Sequence, residues 1–364
     1  MDLPSRYQRL IAGQAGPLGR LVCSVLRPAS GLYAVAMRLR NRWYDRGGSR
    51  VARIGVPVVS VGNITTGGTG KTPLVIEVCR RLSSAGLRPA VVSRGYRAGP
   101  GGQADELLML RRRLPDVPCV ADPDRVAGAR RAVHEHGASV IVLDDGFQHR
   151  RIGRDLDIVV VDATCPFGYG YVLPRGLLRE PLSGLRRASL IVISRVDQVD
   201  APALQRVESA LDAFAPGVPR VRAVHRPAGL VQLDGVESPL SPADLGPSYC
   251  FAAIGNPGSF RQTTASLGIH IAGSHWFPDH HHYSERDPAA LQDAAQRVGA
   301  AVLLTTEKDA VKLADLNARG PIPVLAVRIE IDFRPNDDRI LDNALDRAVQ
   351  TRRGDHEPTP IPTR

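Results

Sequence analysis

Lysine is nearly absent: of 47 lysines and arginines, only Lys71, Lys308 and Lys312 are lysines. Arginine therefore carries almost all of the formal charge of +10 and the pI near 9.8. That bias either follows base composition or points to anionic partners, among them phosphorylated small molecules, membrane surfaces and nucleic acid. Cysteine is sparse too. Cys23, Cys79, Cys119, Cys165 and Cys250 are scattered, odd in number and never in a CxxC pair, which argues against a disulfide framework and a cysteine zinc site and fits a reducing cytosol. No apolar run reaches the roughly 18 to 20 residues of a spanning helix, and the start of the chain lacks the short apolar core of a secretory signal. There is no internal repeat and no aromatic-and-basic signature of a nucleic-acid module.

What is present is a chain of 364 residues with 43% hydrophobic content, enough for two cores and hence two domains. Between Asp2 and Asp45 no acidic residue occurs, while Arg6, Arg9, Arg20, Arg27, Arg38, Arg40 and Arg42 are interleaved with Leu21, Val22, Val25, Leu26, Leu32, Tyr33, Val35, Met37 and Leu39. The pattern predicts one or two basic amphipathic helices broken near Pro28. They either pack on their own domain or lie in an anionic bilayer interface, apolar face down and arginines among the headgroups.

From Val56 a pattern of strand, turn and helix repeats. The run "VPVVSVG" leads into a glycine-rich loop, and "PLVIEVCRRLSSAG" from Pro73 reads as a helix with proline in its first turn and a glycine stop. The runs at 89–96, 138–146, 156–163 and 189–197 are rich in valine and isoleucine and too apolar to alternate, which implies a parallel sheet covered on both faces. The architecture is a doubly wound α/β domain. Around Arg220 to Pro247 the texture shifts to a linker with strands such as "RVRAVHRP" and "GLVQLDG", and a second, smaller α/β unit follows. The expected divisions are a helical region over 1–50, a phosphate-loop domain over 51–220, linker strands over 221–247, the smaller domain over 248–350 and a disordered tail over 351–364.

The stretch "TTGGTGKT" (65–72) fits the phosphate-loop pattern GxxxxGK[ST] except that Thr65 stands where the first glycine belongs. Gly67, Gly68 and Gly70 let backbone N–H groups converge on phosphate oxygens, Lys71 reaches the β and γ phosphates, and the Thr72 hydroxyl suits Mg²⁺. Asp144 and Asp145 end the run "SVIVLDDG", where a phosphate-loop protein places its metal-side acid. Adjacent carboxylates there are costly without a compensating cation or hydrogen bonds, which favours Mg²⁺ over a plain turn with Gly146. Three further clusters stay open by spacing alone. Asp105 and Glu106 are either acceptor-side acids or a helix first turn. Arg175, Arg179 and Glu180 hold phosphate or metal, or form an exposed turn. The histidine tract from His275 with Asp279 and His280 is a metal site, an acid-base pair or a solvated loop.

Taken together and in order, these segments resemble the tetraacyldisaccharide 4'-kinases, which phosphorylate a lipid A precursor at the inner membrane. The resemblance rests on 56–75, "VVSRGYR" (91–97), Asp105-Glu106, 142–163, 167–185, "AAIGNPGSF" (252–260), "FPDHH" (277–281) and "LLTTEKDAVKL" (303–313). Thr65 belongs to that family's own version of the loop. The resemblance implies transfer of a phosphoryl group from ATP to the 4'-hydroxyl of an acylated disaccharide phosphate, with Mg²⁺. It implies that Thr65, Thr66, Gly67, Gly68, Thr69, Gly70, Lys71 and Thr72 hold the ATP phosphates. Thr72, Asp144, Asp145, Glu180 and His280 become metal-side residues, Asp105 acts with His280 on the sugar hydroxyl, and Arg179 is a phosphate-side arginine. It further implies a peripheral protein on the cytoplasmic face of the inner membrane, docked by the basic helix. With no nucleic-acid signature in the chain no nucleic-acid partner is expected, and the oligomeric state stays open with a monomer favoured. Two departures stand out: Ala104 and Leu107 replace the family's glycine and proline around Asp105, and Arg175 replaces a small residue.

Two rival classes lack a signature residue. A membrane-associated regulatory ATPase of the deviant-loop type needs a lysine at the position of Thr66. A GTP-binding switch needs an Asn-Lys pair where "VISRVDQVD" has Ser194 and Arg195.

Overall fold

A computed structural model describes residues 7, 10–13, 16–95, 105–279, 281–314, 316 and 320–354. Tyr96, Arg97, Ala104, His280 and residues 355–364, on which several expectations fell, lie outside the described residues.

Helix α1 (Gly16–Asp45) is a single helix with Pro28 inside it. The expected break at Pro28 does not occur. Pro28 lies on the exposed side, where the carbonyl it frees one turn earlier can turn to water instead of ending the helix. One face of α1 is held down by Cys23, Ser30, Tyr33 and Ala34, and the other exposes Leu21, Val25, Leu32 and Leu39. Among the described residues no helix is long and apolar enough to cross a membrane.

The strands β1 (Val58–Asn63), β2 (Pro89–Ser93), β4 (Val140–Asp144), β5 (Leu156–Asp162) and β6 (Leu190–Ser194) are buried along their whole length, as expected of parallel strands covered on both faces. A short β3 (Cys119–Ala121) adds an edge that the sequence pattern did not reveal. Helices α2 (Lys71–Ser84), α3 (Asp105–Arg113) and α4 (Arg125–His136) cross between these strands, and α5 (Ala201–Phe214) follows β6. β7 (Arg220–Val231) is one strand where two were expected. Its Pro227 sits at a register shift opposite Ile329, so the missing N–H falls where the ladder is already interrupted.

The second half comprises β8 (Ser248–Ala252), α6 (Pro257–Ser266), β9 (Ile271–Trp276), α7 (Arg286–Arg297), β10 (Val302–Thr306), α8 (Glu307–Leu313) and β11 (Val324–Phe333). Among the described residues all strands form one 11-stranded sheet of order β3-β2-β4-β1-β5-β6-β7-β11-β10-β8-β9. β7 bridges the halves: its start is parallel to β6 and its remainder antiparallel to β11.

The last helix, α9 (Asp337–Gly354), returns to the first half. Leu341, Leu345 and Ala348 join the core built by Val78 and Leu82 of α2 and by β1, β5 and β7. Arg81 grips Asp338 at 2.6 Å and Asp342 at 2.7 Å, and Arg352 grips Asp155 at 2.9 Å. Residues 351–354, expected to be disordered, complete this helix because their neighbours on its apolar face are already buried.

Candidate active site

Parallel pairing of β1 with β4 and β5 ends three strands at the same edge of the sheet, with Val61 beside Asp144 and Asn63 beside Val160. This is where strand order reverses around β1, the usual crevice for a ligand in such a sheet. The loop 64–70 leaves β1 here and enters α2 at Lys71. Gly70, at φ 85°, caps the helix in the left-handed region, and a Cβ on it would lie 2.3 Å from the buried ring of His225. Only glycine meets both demands.

The loop is held from three sides. Asn63 accepts from Lys71 Nζ at 3.2 Å and donates to Thr69 Oγ1 at 2.9 Å. Ser194 donates to the Thr69 carbonyl at 3.1 Å, and Arg195, ion-paired to Asp162, donates to the Gly68 carbonyl at 3.1 Å. The strand end that a guanine-reading protein would turn toward a base is committed here to the loop itself. From the third side, Thr66 N donates to Leu177 O at 2.7 Å and Arg179 N to Ile64 O at 2.7 Å, so the proline-bounded loop 173–182 runs alongside the phosphate loop.

Three of the expected residues converge. Asp145 lies 3.4 Å from Lys71 Nζ and 2.6 Å from an Arg179 guanidinium nitrogen, in the left-handed conformation at φ 53°. Burial works to raise its pKa, but Lys71 and Arg179 outweigh it and hold the carboxyl down at about 2. Its neighbour Asp144 is buried, and desolvation, with Glu106 and Asp145 adding repulsion, pushes it up to about 7. Two adjacent carboxyls held this far apart in acidity are a pattern of functional sites.

Other expected residues fall elsewhere. Glu180 is fully buried and its oxygens accept from Arg187 at 2.8 Å, Asn41 at 3.0 Å and Gln148 at 3.0 Å. It reaches Asp145 only through Gln148 and Arg179, which approach to 3.4 Å. Arg175 points away from the loop: it donates to the Ile11 carbonyl at 3.0 Å and covers the Tyr171 ring. Asp105 is the first residue of α3, buried, with its carboxylate 3.7 Å from Lys312 Nζ.

From sequence alone Asn63, Lys308 and Lys312 have no role, and Ser194 and Arg195 enter only as mismatches to a guanine-reading strand. Glu106 and Asp279 meet Lys308 at 3.7 and 3.8 Å, and a Cβ on Gly255 would lie 3.2 Å from Asp279 and 3.4 Å from the Gly68 amide, so the second half closes onto the loop. The signal for Lys308 and Lys312 was lysine scarcity itself, since all three lysines of the chain lie around this cleft.

The residues present fit Mg²⁺. Asp145 Oδ1 is buried with no hydrogen bond closer than the 3.4 Å approach of the Lys71 ammonium, beside a second carboxyl whose ionisation Lys71 and Arg125 relieve only in part and a divalent cation would favour further. Among the described residues no three metal-ligating side chains converge, and Mg²⁺ bound with substrate phosphates uses one or two carboxylates and keeps water.

A glycine-shaped loop between a buried strand and a helix, an acidic pair on the adjacent strand end and two cations between them define a P-loop NTPase-like site. A family model described as tetraacyldisaccharide-1-P 4'-kinase matches residues 22–350. The tetraacyldisaccharide 4'-kinase of Anaeromyxobacter sp. (strain Fw109-5) is 42% identical over 354 residues, covering 92% of this chain and 95% of that protein. That of Syntrophus aciditrophicus (strain SB) is 38% identical over 329 residues, covering 83% and 87%. The crystal structure of the "apo" form of LpxK from Aquifex aeolicus in complex with ATP superposes with a TM-score of 0.71 at 30% identity, covering 90% of this chain and 99% of that one. The chain belongs to the tetraacyldisaccharide 4'-kinase family.

Proposed function

We infer that this protein transfers the γ-phosphoryl group of ATP to the 4'-hydroxyl of a tetraacyldisaccharide 1-phosphate. The observation that carries the reading is the meeting of Lys71, Asp145 and Arg179 at the mouth of the loop, in a chain with this family membership. A bond forms between the sugar oxygen and phosphorus, the bond from phosphorus to the β,γ-bridging oxygen breaks, and the hydroxyl proton leaves to a base. Such a transfer needs positioning and charge neutralisation more than covalent help.

In this reading the backbone from Thr65 to Thr69 and the amides at the start of α2 cradle the phosphates, as a helix N-terminus does for anions. Lys71 and Arg179 balance charge on the transferring group, and Asp145 holds both cations in place. Thr72 with Asp144 or Asp145 would hold Mg²⁺, which when bound would neutralise charge on the phosphate oxygens. Glu180 serves by anchoring Gln148 and Arg187 behind Arg179. Asp105 is the acid on the acceptor side, acting with His280. Losing such a group lowers kcat by about a hundredfold or more.

The exposed apolar stripe of α1, flanked by Arg20, Arg27, Arg38 and Arg42, is the surface we assign to an anionic membrane, which presents the acylated substrate. The same helix touches the site: Tyr33 donates to the Arg179 carbonyl at 2.9 Å and Asn41 to Glu180. The test is incubation with radiolabelled ATP, Mg²⁺ and detergent-dispersed tetraacyldisaccharide 1-phosphate beside a Lys71→Ala control. Label is expected on the lipid only with Lys71 present. ATP hydrolysis stimulated by bare liposomes, with no labelled lipid, would refute the reading.

A further inference from the structure

We propose that Lys312 is a positioning residue for phosphoryl transfer, holding the Asp105 carboxylate in place from the second half of the chain. The proposal rests on the assignment of Asp105 to the acceptor side.

The Lys312 ammonium is fixed from several directions. It lies 2.8 Å from Asp309 Oδ1, donates to the His281 carbonyl at 3.2 Å and faces the Tyr283 ring at 5.1 Å from its centroid. Asp309 is fully buried, and its other oxygen accepts from Ala253 N at 3.0 Å and from Thr306 Oγ1 at 2.7 Å. The ammonium is therefore mounted on the β8 and β10 framework, with its side chain 7% exposed. Against this mount stands Asp105, 3.7 Å away.

One helical turn earlier, Lys308 repeats the arrangement with Glu106 at 3.7 Å. Positions four apart share a helix face, so two lysines of α8 face two adjacent carboxylates in the first turn of α3. The other end of α3 is tied to the same helix by the buried pair of Arg113 and Glu307 at 2.7 Å. Although α3 precedes β3 in the chain, the second half thus grips it at both ends. Where Asp105 stands relative to the phosphate loop is consequently decided by how the halves meet. An ammonium is a compact point charge that can sit among Asp105, Asp309, a carbonyl and a ring, where a planar guanidinium would impose its own fork geometry. That explains lysine at this position in a chain otherwise built with arginine.

Lys312 also neutralises Asp309, so Lys312→Met alone risks leaving a buried carboxylate unpaired. The experiment therefore pairs Lys312→Met/Asp309→Asn with Asp309→Asn, using the full chain, detergent-dispersed tetraacyldisaccharide 1-phosphate and radiolabelled ATP. Each is made with Asp105 intact and with Asp105→Ala. With Asp105 intact, the double variant is expected to lose about a hundredfold in kcat relative to Asp309→Asn, the size of effect a misplaced group produces. The KM for ATP and the melting temperature should stay with those of Asp309→Asn, and in the Asp105→Ala background no further loss should appear. Equal kcat for the two variants, or losses that multiply in the Asp105→Ala background, would overturn the proposal. Full kcat for Asp105→Ala itself would instead remove the assignment of Asp105 on which the proposal rests.

Discussion

Replacing Asp144 by asparagine should stabilise the metal-free protein while destroying catalysis. The carboxyl ends β4 at 5% exposure, and burial first, then Glu106 and Asp145, push it up to about 7 from an ordinary 3.8, against the partial relief of Lys71 and Arg125. A folded-state pKa raised in this way contributes stability that is fully present below about pH 4 and is lost as the pH rises through 7. Three pH units at about 1.36 kcal/mol each set an upper figure of about 4 kcal/mol, which charge sharing with Asp145 reduces. Asparagine keeps the shape without the charge, so at pH 8 it should recover roughly 2 to 4 kcal/mol, or about 3 to 5 °C in melting temperature for a chain of this length. Near pH 4 the two proteins should melt together. The assay is a set of circular-dichroism melts in EDTA from pH 4 to pH 8, with lipid phosphorylation measured in parallel. An asparagine variant that melts at or below the parent at pH 8, or whose gain is undiminished at pH 4, would refute the reasoning.

Gly70→Ala combines a strained left-handed φ, costing about 1 to 2 kcal/mol, with a Cβ placed against the His225 ring. ATP affinity by calorimetry should fall at least about tenfold, and a companion His225→Ala should recover only part of it. Unchanged affinity would show that the loop does not need this shape. On α1, Leu21, Leu32 and Leu39 are 62%, 74% and 62% exposed. Burying each leucine in lipid is worth about 1.5 to 3 kcal/mol, so Leu21→Glu/Leu32→Glu/Leu39→Glu should lose at least about a hundredfold in affinity for anionic liposomes by co-sedimentation. Undiminished co-sedimentation would return the stripe to the role of a solvated surface.

Much of the first half was legible because its signals are local. Buried parallel strands announce themselves as valine and isoleucine runs, and a phosphate loop needs glycines and a lysine at fixed spacing. The Asp144-Asp145 pair is written at the end of such a run. The edge strand β3 is three residues long and too short to carry a period. Glu180 could not be separated from Arg179 by spacing, and only packing shows that Arg187, Asn41 and Gln148 occupy its oxygens. Pro28 is a helix breaker by local rule, yet tolerance depends on which side of α1 meets solvent.

The sequence by itself determined the doubly wound sheet, the loop from Thr65 to Thr72 and its acidic partner, because backbone freedom and side-chain period are properties of a few consecutive residues. Tertiary structure decided the rest. It carried β7 across both halves, brought α9 back to the first core and closed Lys308 and Lys312 onto Glu106 and Asp105. The two lysine contacts alone join residues about 200 positions apart. Long-range ion pairing leaves no period in the chain, since the Coulomb attraction that forms it depends on distance in space.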